Sequence, residues 1–142
     1  MHIIEHTFFV VGGIYMRYLN KEEMNIANRF LFLSMAIIVI EQDLQHIEEG
    51  AFKIKNPYRQ LLQEMNSRAL HERKQLKKRM YQKKMQVIHG ERTRFFSTFI
   101  FIAQQKQEEK SYFNPAIRSH VESILRELIQ KSSSISEVSI DD

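Results

Sequence analysis

The sequence predicts an all-α protein, and three observations support this fold class. Four glycines and two prolines punctuate 142 residues, and so few breaking residues favour long helices. Both prolines follow an asparagine, at Asn56-Pro57 and Asn114-Pro115. Asn at the N-cap with Pro at the first helical position is typical of a helix start. We therefore expect a long antiparallel helical hairpin with two shorter helices, an arrangement like a four-helix bundle.

The capping residues predict where each helix begins and ends. Asn20, followed by Glu22 and Glu23, marks the first start, because acids in the first turn interact favourably with the helix dipole. Gly50 and Gly90 stand where helices can end in the left-handed conformation. The predicted helices are residues 21–49, 57–89, 91–111 and 115–131.

Two terminal segments flank the predicted helical domain, residues 20–131. Residues 1–19 are apolar but lack the basic start of a signal peptide, and we expect them to form an N-terminal arm. Within that arm, residues 7–11 have the composition of a short strand or of an extended segment. Residues 132–142 are rich in Ser and acidic residues, and we expect a flexible tail.

Two segments, residues 30–40 and 95–103, are apolar almost all round. A helix that is apolar on every side must be covered on every side, and the simplest cover is an intertwined homodimer. Two alternatives remain open: the other helices and the N-terminal arm cover both segments, or residues 95–102, rich in β-branched and aromatic side chains, form a strand. The predicted interface residues are Phe30, Leu33, Ile37, Phe95, Phe99 and Ile102.

Several functional classes are disfavoured by what the sequence lacks. It has no Cys, which excludes disulfide scaffolds and thiol nucleophiles. It shows no glycine-rich phosphate loop, nucleophile elbow or HExxH motif, so we expect no enzymatic activity and no cofactor. Asp43 and His46 resemble half of a di-metal helix motif, but the second copy is missing and we expect no metal site. The apolar run 30–40 would span about 16 Å as a helix, too short for a bilayer, so we expect no membrane association and a cytoplasmic protein.

The net charge of +4 conceals an uneven distribution. Residues 68–94 carry ten basic and two acidic residues, a net +8, and the rest of the chain carries −4. Such density is typical of a solubilising face, of a surface for an acidic protein or for the protein's own acidic tail, or of a polyanion-binding surface, most plausibly for DNA or RNA phosphates. The predicted nucleic-acid-binding residues are Arg73, Lys74, Lys77, Lys78, Arg79, Lys83 and Lys84.

The sequence therefore supports two functional hypotheses. The first is a regulatory or adaptor protein whose basic helix, residues 68–94, binds nucleic acid through phosphate contacts. The second is a protein-interaction module that recognises a partner helix or an acidic protein through residues 30–40 and 95–103.

Two connecting segments carry a family resemblance. The sequences IEEGAFKIKNPYRQLL and EEKSYFNPAIRSHVESIL resemble the YhjD-like family of small helical proteins from spore-forming bacteria. The resemblance covers about residues 28–130. It implies a bacterial cytoplasmic protein with an accessory role, and it carries over no catalytic residue and no cofactor.

Overall fold

The computed structural model describes residues 18–141, and only the backbone of residues 134–141. In this part of the chain two helices precede one antiparallel sheet, and a third helix follows it. The elements are α1 (Lys21–Glu49), α2 (Asn56–Gln82), β1 (Met85–Arg92), β2 (Phe96–Ala103), β3 (Lys106–Phe113) and α3 (Asn114–Asp141).

The prediction of an all-α helical bundle is wrong, because the described residues contain a three-stranded sheet. The predicted helix 91–111 is in fact most of β2 and β3, and the helix predicted to reach residue 89 ends at Gln82. The alternative that residues 95–102 form a strand is confirmed, since β2 runs Phe96–Ala103. β-branched and aromatic side chains pack well on a pleated surface, which explains why this apolar run forms a strand rather than a buried helix.

Three of the four predicted helix starts, at residues 21, 57 and 115, are confirmed to within a residue. At α1 the predicted acidic start is a complete capping box between Asn20 and Glu23. The Glu23 backbone N–H donates to Asn20 Oδ1 at 2.8 Å, and the Asn20 N–H donates to Glu23 Oε1 at 2.9 Å. Each side chain thus satisfies a backbone donor that the helix leaves without a partner.

The two glycines have different roles from those expected. Gly50 follows the last residue of α1, and a Cβ there would lie 2.7 Å from the His46 carbonyl oxygen. Gly90 lies inside β1, next to the irregular register between His89 and Arg92, and ends no helix. Neither glycine has a positive φ, so the left-handed terminations were wrongly predicted.

Lys84 provides the left-handed residue that the glycines do not. It has φ 53° two residues after the end of α2, and its N–H donates to the Tyr81 carbonyl at 3.1 Å. Left-handed backbone brings Cβ close to the carbonyl oxygen, a cost that glycine avoids. The chain leaves the helix here and enters β1.

We expect Lys84→Gly to raise the free energy of unfolding by about 0.5–1 kcal/mol, because relief of the left-handed strain outweighs the added freedom of the unfolded chain. Urea denaturation measures the change. Lys84→Ala is the matched control, since it removes the same charge but keeps Cβ, and it should give no gain. Equal stability of the two variants would show that φ at this position costs little.

The sheet is a simple meander in the order β1-β2-β3, with antiparallel pairs throughout. Residues 93–95 connect β1 to β2, and Gln104-Gln105 forms the tight turn between β2 and β3, with Gln104 at φ 58°. Because successive side chains of a strand point to opposite faces, Phe99 and Phe101 lie on one face of the sheet and Ile100 lies on the other. All three are buried.

The described chain divides into two compact units. The first contains residues 18–31 and 75–118, and the second contains residues 32–74 and 119–141. Each has its own apolar core, and the largest fully buried side chains are Phe101 in the first unit and Leu33, Ile40 and Met65 in the second.

Two further predictions concern the N-terminal arm and the C-terminal tail. The N-terminal arm, with its candidate strand at residues 7–11, lies outside the described residues except for positions 18 and 19. At the other end the backbone of residues 132–141, expected as a flexible tail, continues helix α3.

Helix α1 is longer than the apolar run that marked it. Among the described helices, α1 has the length and apolar composition that a membrane span requires. Half of its most apolar window is buried inside the protein, and the core helix of a soluble protein passes the same test.

Candidate functional site

The last two turns of α2 present an exposed basic face with an aromatic side chain. Lys77 and Lys78 precede Tyr81 by four and three residues, so the three side chains are neighbours on the helix surface. Lys77 and Lys78 are exposed, and Tyr81 is 86% exposed. We call this surface the lysine–tyrosine face. Neither lysine forms an ion pair with a carboxylate of the described residues.

Two other predicted ligands, Arg79 and Lys83, are partly neutralised. Both approach Glu22 of α1: Arg79 Nη2 lies 3.7 Å from Glu22 Oε2, and Lys83 Nζ lies 3.3 Å from Glu22 Oε1. All three side chains are substantially solvent-exposed, so each pair contributes little to stability. Together with Glu22, these two cations carry a net charge of +1 rather than +2. The lysine–tyrosine face is therefore the stronger candidate for binding an anion.

The remaining predicted ligands are divided between the two units. Arg73 lies in the second unit, where its Nε donates to Ser34 Oγ at 2.8 Å. Lys74 is also in the second unit and is exposed. Lys84 is exposed in the first unit, at the left-handed junction with β1.

The single continuous basic helix predicted over residues 68–94 is therefore wrong. Its helical part stops at Gln82, and Arg92 and Arg94 lie on β1 and on the loop that follows it. The basic residues of the segment 75–94 thus fall into two groups: Lys77, Lys78, Arg79, Lys83 and Lys84 precede β1, and Arg92 and Arg94 lie at its other end.

The predicted dimer-interface residues differ widely in exposure. Leu33, Ile37 and Phe99 are buried within a single chain, so covering them requires no second copy. Phe30 and Ile102 are half-buried, and Phe95 is exposed. The homodimer stays a prediction. The apolar character of Leu33, Ile37 and Phe99 no longer supports it, because a single chain already buries them.

The histidine motif considered for metal binding forms a simple contact. His46 Nδ1 lies 4.0 Å from Asp43 Oδ1, and both side chains are well exposed. In the described residues no group of three or more His, Cys, Asp or Glu side chains is arranged to hold a metal ion. His120 stacks on Phe32 with ring centroids 4.7 Å apart, which gives that ring a packing role in the second unit.

A partly buried ion pair links α1 to the sheet in the first unit. Lys106 Nζ donates to Glu23 Oε1 at 2.9 Å, and the Glu23 side chain is only 8% exposed. Burial by itself opposes ionisation, but hydrogen bonds from Lys106 and from the Asn20 N–H together hold the pKa of Glu23 below its usual range. A second link joins the same elements, since Tyr112 Oη donates to Asn28 Oδ1 at 2.6 Å. These contacts position the sheet on the helix.

Sequence reasoning named Phe95 as an interface residue but missed that two further phenylalanines are exposed near it in the first unit. Phe95, Phe96 and Phe113 are each about half exposed, at 56%, 48% and 49%, and the rings of Phe96 and Phe113 lie 5.7 Å apart. The pairing of Phe96 with Phe113 at the end of the ladder brings them together. Only the register of β2 with β3 could have revealed this, and the helical assignment of the region concealed it.

The fold and the site together define a small protein of mixed α and β structure with an exposed, locally basic helix end. A comparison with family models matches residues 18–133 to the family described as "YhjD protein", and the chain belongs to this family. The family resemblance noted in the sequence is thereby confirmed.

A curated relative supports the same assignment. The chain is 35% identical over 107 residues to the Bacillus subtilis (strain 168) protein described as "Uncharacterized protein YhjD". The matched region covers 75% of this chain and 89% of that relative. No solved structure matches the chain.

Proposed function

We propose that this chain is a non-enzymatic, nucleic-acid-binding regulatory protein that contacts phosphates through the lysine–tyrosine face. One observation carries the proposal: Lys77 and Lys78 flank the strongly exposed Tyr81, and neither pairs with a carboxylate of the described residues. Exposed cations release counterions from a phosphate backbone when they bind it, which makes such a surface attractive to nucleic acid.

The charge distribution around this face supports the proposal. Glu22 draws the side chains of Arg79 and Lys83, so those two cations have an intramolecular partner. On α2 the acid nearest to the face is Glu72, five residues before Lys77 and outside the i±3 and i±4 positions that would place it beside that lysine. The face therefore keeps its positive charge available to an external anion.

A structural role for the same lysines has to be separated from binding. Cations in the last turns of a helix interact favourably with the partial negative charge of its C-terminus. That effect is worth about 0.3–1 kcal/mol of stability and is independent of any ligand. A test must therefore compare binding at conditions where every variant is folded.

The test is a binding titration of a labelled DNA duplex with the wild-type protein and with Lys77→Gln/Lys78→Gln. Fluorescence anisotropy of the duplex measures binding at several salt concentrations. We expect the wild-type protein to bind at about 50 mM salt, with log affinity falling linearly with log salt. The double variant should bind at least about tenfold more weakly, and its salt slope should shrink by about 2, because two phosphate contacts are lost.

The matched control is Lys21→Gln/Lys53→Gln, which removes the same charge from two exposed positions that are not part of this face. It should keep most of the affinity and of the slope. Absence of wild-type binding at low salt, both to this duplex and to a single strand, would end the proposal. An equal loss in both double variants would show that net charge, rather than this face, attracts the nucleic acid.

A further inference from the structure

The hairpin corner of the sheet presents three phenylalanine rings to solvent. We use this name for Phe95, Phe96 and Phe113 with the neighbouring Arg92 and Arg94. The three rings are each about half exposed, and the Arg94 guanidinium lies 5.6 Å from the centroid of the Phe95 ring. Large aromatic side chains are costly to leave in water and are common at binding sites.

A dense set of hydrogen bonds holds this corner in one conformation. The Asn114 N–H donates to the Phe95 carbonyl at 2.7 Å, and its side-chain amide donates to the carbonyls of Thr93 and Arg94 at 3.3 and 3.1 Å. Ser97 Oγ donates to Asn114 Oδ1 at 2.7 Å. The first residue of α3 therefore ties down the backbone of the β1–β2 loop, which carries the exposed Phe95 ring.

Thr93 adds to these hydrogen bonds from within the loop. Its backbone N–H donates to the Phe96 carbonyl at 2.8 Å, and its Oγ1 accepts from the Phe96 N–H at 3.0 Å. A backbone that is held in place before binding loses little conformational entropy on contact with a ligand, which favours affinity. The corner thus has the properties of a preorganised platform.

The charges at the corner favour an anionic ligand. Arg92 and Arg94 are both exposed, and the single acid among residues 91–95 is Glu91, so the segment carries a net +1. An exposed aromatic platform with arginines beside it matches the chemistry of an unpaired nucleotide, which has a flat π-face and a phosphate. A base inside a duplex is already stacked on its neighbours and is not available to such rings.

We infer that the hairpin corner stacks unpaired bases, so that the ligand class of this protein is single-stranded nucleic acid. This inference rests on the proposed function and makes it more specific: the lysine–tyrosine face contacts phosphates, and the corner contacts bases. The corner lies at the opposite end of β1 from Lys84, about 26 Å away for eight residues. A ligand that uses both surfaces must therefore be several nucleotides long.

The experiment compares Phe95→Ala/Phe113→Ala with the wild-type protein on two DNA probes of about 16 nucleotides, one single-stranded oligothymidine and one duplex. We expect the variant to bind the single strand about tenfold or more weakly, because stacking on two rings is lost. Duplex affinity and the salt slope for both probes should change little, since the phosphate contacts remain. Phe95→Tyr/Phe113→Tyr keeps the rings and should restore single-strand affinity.

Folding is controlled by thermal unfolding of each variant and by the single variant Phe95→Ala, whose ring is the most exposed of the three. This single variant should lose part of the single-strand affinity without a change in unfolding temperature. If ring removal leaves single-strand affinity intact while Lys77→Gln/Lys78→Gln lowers it, the stacking inference is wrong and the proposed function stands. If the wild-type protein binds neither probe, both are wrong.

A membrane surface is the competing ligand, and the same variants test it. Wild-type protein and Phe95→Ala/Phe113→Ala are sedimented with vesicles containing anionic phospholipid. Loss of vesicle binding in the variant, with unchanged affinity for the oligothymidine, would assign the corner to lipid and overturn the inference. We expect instead no vesicle binding that depends on these rings.

Discussion

Phe101→Ala should lower the free energy of unfolding by about 3–5 kcal/mol. Phe101 lies in the central strand of the sheet, where it pairs with Val87 on one side and Glu108 on the other, and its side chain is fully buried. Removing the ring loses its transfer free energy and leaves a cavity that paired strands on both sides prevent from collapsing. An effect of this size is a large fraction of the stability of a small domain.

Chemical denaturation in urea, with the midpoint and the slope fitted separately, measures this loss. Phe52→Ala is the matched control, because it deletes the same ring from a position that is 47% exposed in the second unit. It should cost less than about 1.5 kcal/mol, since about half of the ring already contacts water. Similar losses at the two positions would mean that Phe101 does not lie in a packed core.

Glu23→Gln should lower the free energy of unfolding at pH 7 by about 1.5–3 kcal/mol, the range typical of hydrogen bonds to charged groups. The variant keeps a side chain that reaches Asn20, but it replaces the charged partner of Lys106 with a neutral amide. Because Glu23 is buried, water compensates little for the lost interaction.

The pH dependence of this loss has a definite sign. The pKa of Glu23 is lower in the folded protein than the ordinary value of 4.5. The unfolded chain therefore binds a proton more readily, so the stabilisation is fully present above about pH 4.5 and is lost as the pH falls through the folded pKa. The difference between wild type and Glu23→Gln should be largest near neutral pH and should shrink below pH 4.5.

Urea denaturation at several pH values between neutrality and acid measures both the size and the sign. Glu41→Gln, which makes the same charge change at an exposed position on α1, is the control and should have little effect at any pH. A constant difference between wild type and Glu23→Gln across this range would contradict the assignment of the stabilisation to the carboxylate of Glu23.

Local chemistry accounts for the features that could be predicted from the sequence. Asn20, Asn56 and Asn114 mark helix starts because a capping side chain acts on backbone groups two or three residues away. A few consecutive residues are therefore enough to predict where each of these three helices starts. The same is true of the charge excess in residues 68–94, which is a property of composition.

Predicting the end of α2 and the three strands of the sheet requires information from distant parts of the chain. Nothing about Lys84 signals a left-handed residue, because glycine is the usual choice there. Residues 85–113 alternate too weakly to exclude a helix, and pairing between strands stabilises them only when the whole meander forms. The all-α prediction failed because it judged each segment alone.

The candidate site also combines features that local sequence predicts with features that depend on contacts between distant residues. By itself the sequence determined the helix starts, the family resemblance and the location of the excess charge, because capping, motif and composition are local properties. The tertiary structure alone decided that Glu22 neutralises part of that charge, 57 and 61 residues before Arg79 and Lys83. It alone placed Phe96 beside Phe113, since contacts between distant residues depend on the folded chain path and on strand register.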